Sequence, residues 1–63
     1  MKIINIMKKY SEGKRLELSE ARHLLTVEKD SVAFYWLLET SGRKPTGCFW
    51  WDKILAVVKI AGY

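Results

Sequence analysis

The 63-residue chain predicts a mainly α-helical fold, a compact bundle of about four short helices, with a short strand or wing near residues 47–51. Three observations carry this prediction. Apolar residues recur at helical spacing through most of the chain, glycines follow three of the periodic segments at Gly13, Gly42 and Gly62, and serine or aspartate stands where helices would begin. The length allows one domain, 1–63, that buries only about 60% of its unfolded surface. Such a domain sits near the lower limit for folding alone, so a partner or a second copy would help it.

In the first segment, Lys2 to Glu12, Ile3, Ile4, Met7 and Tyr10 share a helical face opposite Asn5, Lys8, Lys9 and Glu12, and Gly13 is a stop signal. A second helix is expected from about Glu20 to Thr26. Ser19 would be its N-cap, and Ala21, Leu24 and Leu25 its apolar face. Asp30 or Ser31 would cap a third helix that Gly42 ends with φ > 0; between them VAFYWLL is apolar on nearly every side. Pro45 turns Lys44 away from helical backbone, so 43–46 read as a loop. Cys48, Phe49, Trp50 and Trp51 suit a short strand, after which Asp52 would cap a last helix through Ala61 with Ile54, Leu55, Val58 and Ala61 on its apolar side. A rival β reading pairs HLLTVE with SVAFYWLL across Lys29 and Asp30, but that turn lacks the glycine or asparagine a two-residue hairpin favours.

One cysteine excludes an internal disulfide framework and leaves too few thiols for a structural zinc site, which points to a reducing, cytoplasmic setting. No signal-peptide pattern and no run of about 20 apolar residues is present, so neither secretion by that route nor a transmembrane segment is expected. Charge is segregated: residues 1–15 carry +4, residues 16–40 carry −3 and residues 41–63 carry +3. Basic ends suit an anionic partner, and the acidic middle does not.

The stretch LELSEARHLLTV resembles the first half of helix-turn-helix domains of the excisionase and mercury-resistance-regulator type, through Leu16, Glu20, Ala21, Leu24, Leu25 and Val27. Ser31 and Val32 are similar to the Thr/Ser-Val that starts that family's second helix, and Gly42, Arg43 and Pro45 to the Gly-Arg-x-Pro that follows it. The resemblance covers about half the chain, Leu16 to Pro45, and implies a helix-turn-helix-like regulatory protein that binds DNA as a dimer or as an accessory factor. Two departures bear on function. The second helix would turn Ala33, Phe34 and Leu37 outward where a DNA reader needs polar or basic groups. Glu28 and Asp30 would stand at its entrance, facing phosphates whose neutralisation supplies much of the affinity.

On the DNA reading, contacts come from Arg22, Lys29, Ser31, Arg43 and Lys44, with Lys8, Lys9, Lys14 and Arg15 on the backbone. The alternative is a small phage-type modulator that binds a host protein through Phe34, Trp36 and Leu37 together with Trp50 and Trp51, aromatic residues being frequent hot spots at interfaces. A weaker one is a membrane-active peptide, because FWWDKILAVVKIAGY resembles the C-terminal part of leaderless bacteriocins; five acidic residues in the middle of the chain fit anionic lipid poorly. Cys48 reads as a small buried hydrophobe and His23 as a partly exposed structural residue. There is no metal-ligand spacing, phosphate-cradling glycine loop or nucleophile with a base. No enzyme activity, cofactor, metal or small-molecule substrate is therefore expected.

Overall fold

In a computed structural model that describes residues 2–62, the chain forms four α-helices: α1 (Ile3–Ser11), α2 (Leu18–Leu24), α3 (Val32–Ser41) and α4 (Phe49–Ala61). Tyr63, the last residue of the basic, tryptophan-rich C-terminal segment, lies outside the described residues. No strand occurs among those residues, so both the hairpin reading and the short strand or wing near 47–51 give way to helix and loop. The radius of gyration, 10.5 Å, equals what a fully folded chain of this length should have, about 10.6 Å.

The helix ends explain where the boundaries differ from the expected ones. α2 starts at Leu18 because Glu17, not Ser19, is its N-cap: the Glu17 N–H donates to Glu20 Oε1 at 2.9 Å. Glu20 also accepts from Lys9 Nζ at 2.8 Å, which ties the start of α2 to α1. At α3 the Ser31 hydroxyl accepts from the Phe34 N–H at 3.1 Å, the expected cap, while donating to the Glu28 carbonyl at 2.7 Å. Asp30 just before it has φ 60, a left-handed conformation that aspartate tolerates better than most residues. Gly42 ends α3 at φ 69, where its N–H reaches the Leu38 carbonyl at 3.2 Å.

Asp52 is not a cap. It lies inside the first turn of α4, which begins three residues earlier at Phe49, and its Oδ1 accepts from both the N–H and the hydroxyl of Thr46 at 2.7 Å each. The carboxylate thus fastens the 43–48 loop to the N-terminal turn of the helix, where a negative charge is favoured. Gly47, at φ 93, makes the turn between those two anchor points.

α4 is the hub of the bundle. It packs chiefly on α3 and also on α2, and α1 packs on α2. Leu24 of α2, Leu37 of α3 and Ala56 of α4 are fully buried, with Ile6, Leu16, Val27, Phe34, Val57 and Ile60 around them. Each large aliphatic side chain so buried contributes about 1.5–3 kcal/mol. Two aromatic contacts close the sides: Phe34 meets Phe49 edge-on at 4.9 Å, and Tyr10 meets Trp36 edge-on at 6.0 Å. Among the described residues no helix is long and apolar enough to cross a membrane.

Candidate interaction surface

α4 is thirteen residues long, and its apolar residues do not all turn inward. Asp52, Lys53, Ala56, Val57, Ile60 and Ala61 form its buried face. On the opposite side Trp50 is 64%, Trp51 53%, Ile54 37% and Val58 43% exposed. Trp50, Ile54 and Val58 form one i, i+4, i+8 ridge, and Trp51 lies beside Val58 on the helix circumference, one i, i+7 repeat away. Large apolar side chains exposed as a row on a single helix make this side of α4 the candidate interaction face.

Lys53 lies against the Trp50 end of this stripe. Its residue is only 2% exposed, its aliphatic stem runs through the core side of α4, and Nζ sits 3.8 Å from the Trp50 ring centre and 4.6 Å from that of Phe49. Burial pushes the Lys53 ammonium below the usual lysine range. No ion pair or side-chain hydrogen bond joins it among the described residues, so the two ring faces are its compensation. The cation holds the Trp50 indole across the helix surface.

Beside the stripe, a cleft of about 320 Å³ opens between α4 and the loop after α3, lined by Arg43, Lys44, Thr46, Leu55 and Lys59. Asp52 also reaches it, but its Oδ1 is taken by Thr46. Hydrogen bonds from the Thr46 N–H and hydroxyl hold the Asp52 carboxyl below the usual carboxylate range. The exposed arc of α4 therefore passes from Trp50 through Ile54, Val58 and Trp51 to Leu55 and then to Lys59, apolar along its centre and cationic at one edge.

The proposed protein-contact residues divide accordingly. Trp50 and Trp51 are on the surface as a contact requires. Phe34, 6% exposed, and Leu37, 0% exposed, belong to the core, and Trp36 is half-buried against Tyr10. The outward apolar face expected on α3 does not exist in that form: the residues pointing to solvent are Val32, Tyr35 and Glu39. This follows from α3 being covered by α4, which claims Phe34 and Leu37. Cys48, read as a buried hydrophobe, is exposed. His23 is partly exposed, as expected.

Of the proposed nucleic-acid contacts, Lys8, Lys14, Arg15, Arg22, Lys29, Arg43 and Lys44 are exposed. Lys9 is instead committed to Glu20; the hydrogen bond raises its pKa, while the Glu17 N–H and Lys9 lower that of Glu20. The Ser31 hydroxyl is occupied as the α3 cap. These cations are spread over α1, α2 and three connections, and α3 itself carries none. Ile54 and Val58, expected on the apolar side of the last helix, are surplus to the core, because α4 buries its opposite face. The chain matches no protein-family model, no curated protein and no solved structure.

Proposed function

We propose that this protein acts by docking on another polypeptide through the outward face of α4. The observation that carries the reading is the ridge of Trp50, Ile54 and Val58, with Trp51 beside it, left uncovered on the helix that organises the core. Tryptophan anchors on a rigid helix contribute large contact area with little side-chain entropy to lose, and a neighbouring cationic edge at Lys59, Arg43 and Lys44 gives orientation. The chemistry is recognition, with α1–α3 serving as the platform that holds α4 rigid.

The test is affinity purification of the tagged protein from its producing cell with two variants. Trp51→Glu is expected to lose the bound polypeptide, and Lys8→Glu/Lys14→Glu, at two exposed positions away from α4, to retain it. Retention by Trp51→Glu with loss in the lysine variant would refute the docking reading.

A second reading, binding of DNA by a small regulatory protein, is favoured by a specific feature. Glu20 and Asp52 are drawn into internal contacts together with Lys9 and Lys53, so the nine exposed lysines and arginines against five exposed carboxylates among the described residues keep the net charge of +4 at the surface. That balance suits phosphate-backbone contact, whose signature is a log K that falls linearly with log salt. Duplex titrations at low and moderate salt test it, with Lys14→Glu/Arg15→Glu and Arg43→Glu/Lys44→Glu each expected to flatten the slope. An absence of binding at low salt ends this reading.

A further inference from the structure

We infer that the cleft between α4 and the loop after α3 is a binding site for a small organic phosphate monoester, with Arg43, Lys44 and Lys59 on the phosphate and Leu38 and Leu55 under the organic body. The inference goes beyond the docking reading and does not depend on it.

Three cations converge on one cavity. Arg43 and Lys44 reach it from the loop, and Lys59 reaches it from α4, one helical turn after Leu55 on the same face. All three are exposed, and neither of the two ion pairs among the described residues involves them. Other lysines are engaged: Lys9 is held by Glu20, Lys14 lies 4.0 Å from Glu12, and Lys53 rests on two aromatic rings. The single carboxylate in the lining, Asp52, has its Oδ1 taken by the N–H and hydroxyl of Thr46. Three cations against that carboxylate leave two positive charges, the complement of a phosphate monoester, which carries about −1.5 to −2 at pH 7. A carboxylate or a phosphodiester, each a monoanion, would leave one of the two unmatched.

The cradle is built before anything binds. At one end of the loop the Gly42 N–H donates to the Leu38 and Glu39 carbonyls at 3.2 Å each, and at the other Thr46 is fastened to Asp52. Between them the Arg43 N–H donates to Ser41 Oγ at 3.4 Å. These bonds also blunt an adverse charge. The negative end of the α3 dipole lies here, and its Leu38 and Glu39 carbonyls are satisfied by Gly42 and, for Leu38, by the Ser41 hydroxyl as well. Cations on a fastened loop lose little freedom on binding, and the arginine fork matches phosphate oxygens in pairs.

Size fits a small molecule. The cleft, about 320 Å³, is at the lower end of ligand sites and has room for a phosphate and a body the size of one ring. Leu38 and Leu55, both half-buried, provide an apolar floor that a bare inorganic anion would leave unused.

An NMR titration of the whole chain with phenyl phosphate, at constant moderate ionic strength, tests the site, with inorganic phosphate and diphenyl phosphate as comparisons. Saturable shifts are expected in residues 42–46 and 55–59, with phenyl phosphate bound at least about threefold more tightly than either comparison. Arg43→Gln, Lys44→Gln and Lys59→Gln should each weaken it by roughly three- to tenfold, while Lys8→Gln and Trp51→Ala leave it unchanged. Circular dichroism checks that each variant is folded. Lowering the pH from about 7.5 to about 5.5 protonates the phosphate, whose second pKa is about 6, and should weaken binding several-fold. No saturable shift, or a loss in Lys8→Gln or Trp51→Ala equal to that in Lys59→Gln, overturns the site. Equal affinity for the diester overturns the dianion as ligand, and equal affinity for inorganic phosphate overturns the organic body. Displacement of phenyl phosphate by a DNA duplex with hydroxyl ends overturns the small molecule as occupant and assigns the cleft to the nucleic-acid backbone.

Discussion

α3 and α4 are both apolar on more than one side, and they treat that surplus differently. α3 sends Phe34 and Leu37 into the core and half-buries Ala33, Trp36 and Leu38, leaving only Val32 and Tyr35 outside as large or branched apolar groups. α4 buries one side on α3 and α2 and leaves a second row, from Trp50 to Val58, in solvent. Two helices of similar hydrophobicity thus have opposite meanings: in α3 the apolar surplus is structural, in α4 it is available. What separates them is which neighbour covers which side.

The largest expected effect breaks the structural half of this comparison. Leu37→Ala, at a fully buried position where α3 meets α4, should cost about 2–5 kcal/mol in urea unfolding. Trp51→Ala should cost clearly less, since Trp51 is half exposed and does not belong to the residues packed on the core. Equal costs would erase the distinction between the two faces.

Next come the helix starts. Ser31→Ala removes the acceptor for the Phe34 N–H and should destabilise the fold by about 1 kcal/mol, an effect that Ser31→Asp should largely restore. Ser19→Ala, at an exposed position inside α2, should be close to neutral when the two variants are compared by thermal melts. Ser19 and Ser31 look equivalent as letters. Glu17 and Glu20 decide between them, because a carboxylate three residues on captures the backbone N–H one turn earlier.

Acid should loosen the molecule at two named places. Asp52 and Glu20 both titrate lower in the folded chain than in the unfolded one, so their contribution is complete above the unfolded carboxylate range, near pH 4, and is lost as pH falls through the folded values. Melting temperature should therefore drop below about pH 4, and Asp52→Asn should remove part of that dependence. A flat profile would show that neither carboxylate is held as described. Lys53 works in the other sense. Its folded pKa is depressed, so the buried charge opposes folding at neutral pH, and the penalty is relieved as pH rises through the folded value toward the unfolded one. Lys53→Met should raise the melting temperature slightly and leave Trp50 freer to move, which a drop in its fluorescence anisotropy would report.

Four helices were legible from spacing, and three glycines marked the ends of segments. The α3 cap and the Gly42 terminus follow directly from Ser31 and φ > 0. Phe49, Trp50 and Trp51 misled because aromatic runs favour strands in isolation, whereas here Asp52 and Thr46 close the loop and commit the run to helix. The tryptophans were readable as surface anchors, since three consecutive aromatics cannot share one core. Phe34 and Leu37 were not readable as core, because a helix apolar all round gives no sign of which side its neighbour takes. The role of Lys53 was invisible: at helical spacing a lysine beside Ile54 and Leu55 reads as solvated, and only the rings of Phe49 and Trp50 around it say otherwise.

The claim that α4 presents a working surface is tested most directly by photo-cross-linking in the producing cell. A photoreactive amino acid placed at Ile54 should give a discrete adduct, while the same group at Lys8 on α1 should give none. A discrete adduct from Lys8 with none from Ile54 would contradict the assignment of α4 as the interaction face.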